Sequence, residues 1–203
     1  MSTVNAAFDL RSLPTQPGGR SSPEIAGISS LIVIEAVVFI GMIASYFHLR
    51  LQNAEWPPPG VEEPELLLAS LNTVLLVLTA VPAVISVRAL RGGRAGPARI
   101  ALPIGVAMLV AFGAIKVYEY WDKAHLALEH AYGSMILLMT GLHLAHVTAV
   151  VLKTGVVWVY LRQRRIEPRR AAPLQANALY WYFVILIWLP LYATIYLSPR
   201  VLP

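Results

Sequence analysis

The side chains best suited to move a proton or hold an ion lie in the most apolar parts of this sequence. His143 and His146 stand three residues apart in AYGSMILLMTGLHLAHV, residues 131–147. Glu35 is the one charge in LIVIEAVVF. Imidazole exchanges protons near neutral pH and ligates metals, and residues at i and i+3 of a helix share a face. A metal centre built on such a pair needs several carboxylates beside it. Only Glu35 is at hand, so no metal site is expected. The remaining readings of Glu35 are a neutral, hydrogen-bonded packing carboxyl or a proton-exchanging one placed against a histidine. Asn72 belongs with these as a polar group at depth, suited to a hydrogen bond with a neighbouring helix. Lys116 and Glu119 form a second i, i+3 pair. They read as a snorkelled ion pair near an interface or as a proton exit or partner contact. His125 and His130 fall between apolar runs and read as solvated.

The elements that carry these residues are set by composition. Of 203 residues, 57% are hydrophobic and 13% charged, against about a quarter charged in average soluble domains. Five apolar runs cover about 25–49, 66–90, 100–121, 132–161 and 176–197. A hydrocarbon core of roughly 30 Å needs about 20 helical residues, and each run is long enough. None shows the polar face of a soluble amphipathic helix. The expected fold is an all-α membrane protein, a five-transmembrane-helix bundle over 25–198, preceded by a flexible tail over 1–24. At 1.5 Å per residue, Glu35 lies about 15 Å into the first helix and His143 about 16 Å into the fourth, so the two share a depth.

Charge placement gives an orientation. Arg11 and Arg20 lie in the tail, Arg88, Arg91, Arg94 and Arg99 flank the second connection, and Arg162, Arg164, Arg165, Arg169 and Arg170 flank the fourth. Only Arg50, Lys123 and Arg200 fall on the other side. Basic loops stay cytoplasmic, so the N-terminus is expected inside and the C-terminus outside. The net charge of +5 reflects this topology, not a nucleic-acid partner. Residues 1–24 lack the apolar core of a signal peptide. Absence of cysteine excludes disulfides, thiolate metal sites and iron–sulfur clusters.

Other motifs are structural on physical grounds alone. Trp56-Pro57-Pro58-Pro59-Gly60 reads as a stiff, extended interfacial segment followed by Glu62 and Glu63. Pro82 predicts a kink in the second helix. Pro23 after Ser21 and Ser22 suits a helix start. The fifth helix is aromatic at its cytoplasmic end and carries no charge. No phosphate loop, nucleophile triad or soluble catalytic domain is present, and no residue is assigned a catalytic role.

Taken in order, these motifs resemble subunit III of the haem–copper oxidases, the third subunit of cytochrome c oxidase, in its shorter five-helix bacterial form. The series is Glu35 with Phe39, Trp56-Pro57-Pro58, Asn72-Thr73, Glu119-Tyr120, Tyr132-Gly133-Ser134, Thr140-Gly141 with His143, His146 and Val147, Tyr180-Trp181, Phe183-Val184, Trp188 and Ile195-Tyr196. The sequence also departs from the family pattern. Tyr182 and Ile185 stand where a histidine and an aspartate are usual, and Gln175 where a glutamate is usual. The polar network at that end is therefore reduced.

The resemblance implies a non-catalytic subunit that binds no haem or copper, these being held by partner subunits. It implies packing against subunit I, with subunit II and small subunits nearby and cytochrome c as donor to the complex. It also implies phospholipid held in a cleft between helices one–two and three–five, support of proton uptake and turnover stability, and a bacterial cell membrane location. Lys116 is similar to the lysine of subunit III-like proteins that accompany nitric oxide reductases, which gives an alternative. A third reading is a small proton-coupled transporter using Glu35 and His143, but the halves show no internal repeat of the kind transporters carry.

Overall fold

The computed structural model describes residues 22–61, 65–121, 130–164, 166 and 171–201. Among them all regular structure is helical. Five stretches are long and apolar enough to cross a membrane: Pro23–Gln52, Leu66–Arg91, Ala95–Trp121, Ala131–Arg162 and Ala172–Val201. The protein is an all-α membrane bundle of five spans. We label its helices α1 (Pro23–Gln52), α2 (Leu66–Leu78), α3 (Ala80–Arg91), α4 (Ala95–Trp121), α5 (Ala131–Arg162), α6 (Ala172–Tyr192) and α7 (Ser198–Val201). A π-helical turn, Ala193–Leu197, joins α6 to α7. Ser22 and the connections after α3 and α5 share one end of the bundle, here the basic end. The loop after α1 and the α7 helix lie at the other. The tail over 1–21, Glu62, Glu63, Lys123, His125, Arg165, Arg169 and Arg170 lie outside the described residues.

Helix starts fall earlier than the apolar runs suggest because proline is tolerated in a first turn, where its missing N–H has no partner to lose. Thus α6 begins at Ala172, with Pro173 in its first turn, and α4 begins at Ala95, ahead of Pro97. The second span is interrupted at Thr79 and not at Pro82 itself. A proline cannot donate to the carbonyl four residues back and its ring clashes there, so the disturbance falls one turn earlier. Thr79 repairs the break. Its hydroxyl donates to the Leu76 carbonyl at 2.6 Å, while its Oγ1 accepts from the Trp181 indole at 2.9 Å.

The fifth span is the hub. Half of its most apolar window is buried, against 17% for α1. α6 touches α1, α2, α3 and α5. α1 lies against α5 and α6, and the second span against α4 and α6. The expected grouping of helices one–two against three–five is therefore not the arrangement found. The inward stripe of α1 explains this: Phe39, Met42, Tyr46 and Arg50 are its deeply buried residues after Ile28, and Phe39 meets Phe183 of α6 with ring centroids 6.4 Å apart. Val33, Ile34, Val37, Val38 and Ile40 point outward. Close approach of α3, α4 and α6 depends on Gly105. A Cβ there would sit 2.6 Å from Trp181 Cη2 and 3.0 Å from Pro82 Cγ.

Two expectations at the far end need correcting. Arg50, counted as a loop charge, is buried and donates from Nη1 to the Ser198 carbonyl at 2.9 Å. It satisfies a carbonyl at the end of the fifth span. The proline segment is not extended: the Val61 N–H donates to the Pro58 carbonyl at 3.1 Å. Gly60 sits at φ 83°, as a Pro-Gly turn requires. Trp56 accordingly folds back, its ring 5.5 Å from Tyr46 and 5.1 Å from Tyr132.

Candidate functional site

Glu35 projects from α1 toward α5 and α6 with its side chain 20% exposed. The Tyr180 hydroxyl donates to Oε1 at 3.3 Å. Oε2 has no hydrogen bond but faces His146 Nε2 at 3.5 Å. The opposite ring nitrogen, Nδ1, lies 2.7 Å from the Leu142 carbonyl. A carbonyl can only accept, so Nδ1 carries a hydrogen and Nε2 is the nitrogen left to face the carboxyl. A carboxylate against the lone pair of a neutral imidazole is repulsive. The pair is best satisfied with one proton between them, on Glu35 as an acid or on His146 as imidazolium.

Two turns along α5 toward the basic end, Lys153 sets its ammonium 4.2 Å above the Tyr180 ring. Lys153 follows His146 by seven residues, two helical turns, so both lie on one face of α5. It is the residue that sequence reasoning missed. A lone lysine inside a long apolar run was the available signal.

His143 does not join this group, although depth suggested it. Successive residues of a helix are rotated by about 100°, which leaves His143 and His146 about 60° apart around α5. His143 is 1% exposed and neither ring nitrogen has a partner. Trp188 lies 4.7 Å from it, tilted, and Phe112 and Phe39 meet it edge-on at 6.0 and 6.5 Å. Asn72 is separate again: its Nδ2 donates to the Phe112 carbonyl of α4 at 3.2 Å, and its Oδ1 is unpaired. The four residues expected as one intramembrane network thus divide into a Glu35–His146 pair and two isolated groups, because Phe39, Phe112 and Trp188 fill the space between them.

Lys116 and Glu119 do form a pair, Nζ to Oε2 at 2.7 Å. They are not snorkelled, since their side chains are 4% and 5% exposed. The reason is what α6 and its π-helical turn present to them. Lys116 also donates to the Tyr196 hydroxyl at 2.7 Å, Tyr196 donates to Glu119 Oε1 at 2.6 Å, and Tyr120 lies 2.8 Å from Tyr196. The Trp188 ring closes over the ammonium at 4.9 Å. Trp188 itself donates to Thr73, and Tyr132 and Trp181 are core residues. Pro57 and Pro58 are half-buried in the turn beneath Trp56. Gln175 accepts from Arg91 at 3.0 Å, while Ile185 is buried in the core. Among the described residues no three His, Cys, Asp or Glu side chains gather as a metal centre would need.

Comparison with known proteins gives this arrangement its class. Residues 24–199 match the family model described as cytochrome c oxidase subunit III. A cytochrome c oxidase subunit 3 of Synechocystis is 28% identical over 97% of this chain and 87% of its own length. A probable cytochrome c oxidase subunit 3 of Nocardia farcinica is 30% identical over 86% of this chain and 88% of its own. The subunit 3 of Gallus gallus is 29% identical over 84% and 67%. The chain belongs to the cytochrome c oxidase subunit III family. It is a multi-pass membrane component of a multi-subunit haem–copper oxidase and serves the respiratory chain.

Proposed function

We propose that this chain is a non-catalytic subunit III that packs against subunit I of a bacterial cell-membrane oxidase, with subunit II alongside. It supports proton uptake and working lifetime while electrons pass from cytochrome c to oxygen through the haem and copper of its partners. The family match along nearly the whole bundle carries this reading. The open Glu35–His146–Tyr180 group supports the proton role, because it is a cluster of titratable side chains left under-bonded near a surface among the described residues. Bound phospholipid is part of the same proposal. So is the orientation, with the basic end and the N-terminus facing the cytoplasm, following the eleven-to-three split of basic residues between the two ends.

The test is a mild-detergent pull-down of the chain from its native membrane with an optical spectrum of the eluate. Haem-a-type bands with oxygen consumption are expected. Haem b and c alone with nitric oxide consumption would assign the chain to a nitric oxide reductase. A stable preparation without haem would overturn the oxidase reading and reopen the transporter one.

A further inference from the structure

We propose that a cavity at the basic end, between the start of α4 and the end of α5, binds the polyphosphate group of a water-borne anion through Arg99, Arg162 and Arg164. The cavity encloses about 460 Å³ and is lined by these three arginines and Trp158. Arg99 lies in the first turns of α4, Arg162 ends α5 and Arg164 follows it, so two spans supply one space. The Trp158 indole donates to the Arg99 carbonyl at 2.9 Å, which pins the ring across the two helices. The Arg162 guanidinium lies 4.8 Å from the centre of that ring. The Leu161 carbonyl, one of those a helix end leaves without an internal partner, accepts from Arg99 Nη2 at 3.3 Å and from the Arg164 N–H at 3.3 Å. Arg164 takes φ 56°, the left-handed conformation that glycine or asparagine usually fills after a helix. The residue that closes α5 thus also brings a third cation to the cavity.

Charge and lining together identify the occupant. Topology alone puts arginines at this end, and most such residues are simply solvated. These three line one concavity that no carboxylate enters, and among the described residues none of them forms an ion pair. Their mutual repulsion is offset by an anion with several charged oxygens. Guanidinium groups hold phosphate oxygens through paired hydrogen bonds, and three of them exceed what one carboxylate or monophosphate can occupy. The volume falls within the roughly 300–1,000 Å³ of small-molecule sites. No aliphatic side chain lines the cavity, so it offers an acyl chain no wall. A second, apolar cavity, lined in part by Leu102, Pro103, Val106 and Gly155, shares only Trp158 with it. A chain leaving the arginines for that cavity would have to cross the pinned indole. The site therefore suits a soluble polyphosphate and not a lipid. This inference goes beyond the oxidase reading and uses it only in that the whole complex is the particle to be titrated.

The experiment purifies the complex by a tag on this chain and places it in phosphatidylcholine nanodiscs, which leave both faces open to water. Inorganic triphosphate is titrated in and its binding followed by calorimetry. The natural chain is compared with Arg162→Gln plus Arg164→Gln, and with Arg91→Gln plus Arg94→Gln. The second pair removes the same charge from the same end, outside the cavity. All but Arg99 of the residues named are exposed, so both variants should assemble. The natural complex should show one saturable site per chain. The cavity variant should bind about 100-fold more weakly, roughly tenfold for each guanidinium lost. The control variant should bind within about twofold of the natural chain, because distant surface charges are screened. Inorganic phosphate should bind the natural complex at least about tenfold more weakly than triphosphate, a comparison that needs no variant. Absence of saturable binding, equal losses in the two variants, or equal affinity for phosphate and triphosphate would overturn the proposal. So would a phospholipid, counted by native mass spectrometry, that the natural complex retains, the cavity variant loses and triphosphate displaces. A particle without haem that still binds triphosphate would count against the oxidase reading alone.

Discussion

Two clusters in this bundle use the same chemical parts and bond them in opposite ways. Each has a glutamate, a basic side chain and at least one tyrosine hydroxyl. Around Lys116 and Glu119 the contacts are 2.6–2.8 Å, the ion pair is almost wholly enclosed, and an aromatic ring covers the ammonium. Around Glu35 they lengthen to 3.3 and 3.5 Å, one carboxyl oxygen has no hydrogen bond and the group is partly exposed. A closed, fully bonded cluster resists any change of protonation, because losing one partner strands the others in low dielectric. An open, under-bonded one can exchange a proton or accept a contact from outside. The first therefore reads as a clamp between α4 and the end of the fifth span, and the second as the group on which the proposed proton role rests.

The contrast can be broken experimentally. Lys116→Met should have the largest effect, about 3–5 kcal/mol of destabilisation, because it leaves Glu119 buried without its partner. Thermal inactivation of the purified complex would report it. Lys116→Met with Glu119→Met should recover much of that loss, since an apolar pair of similar volume replaces a buried ion pair at little cost. No recovery would mean the clamp does more than satisfy itself. Gly105→Ala should cost about 1–3 kcal/mol through overpacking against Trp181 and Pro82. It separates loss of packing from loss of polar bonds in the same stability measurement.

His143→Leu should change stability by less than about 1 kcal/mol. Lost ring contacts, about 0.5–1.5 kcal/mol, are offset by relief of two unpaired buried nitrogens, about 1–3 kcal/mol. A large loss would place His143 in a bonded network after all. Glu35→Gln should be the mildest for assembly, under about 1 kcal/mol for a part-exposed pair, yet it should shorten the working life of the complex during turnover. Unchanged inactivation kinetics would remove the proton role from this carboxyl.

Much of the fold was legible because membrane helices announce themselves by length and hydropathy, and five such runs were plain in the sequence. Less legible were the helix starts, which prolines extend when they look like stops, and the break at Thr79, displaced a turn from the proline that causes it. Depth along a helix could be counted, so Glu35 and the histidine pair were placed near one another. Rotation around a helix depends on which neighbour it packs against, and that is a tertiary fact. Hence His146 and not His143 meets the carboxyl, and Lys116 turns inward to the Tyr196 hydroxyl, 80 residues away in sequence. Tyr182 and Ile185, departures from the family pattern, found different uses: one borders a groove and the other packs in the core.

The seam between α1 and the fifth span also has a consequence for how the protein is made. Arg50 is tied to Ser198 across 148 residues, and Phe39 rests on Phe183. During synthesis α1 enters the membrane first and the span that completes its inner face emerges last of the five. Until then Phe39 lacks Phe183 and Arg50 lacks Ser198, and contacts this distant in sequence form late. The nascent bundle is thus an open intermediate through most of translation, exposed to quality-control proteases. A ribosome stalled before α6 should yield a chain that is inserted but readily degraded.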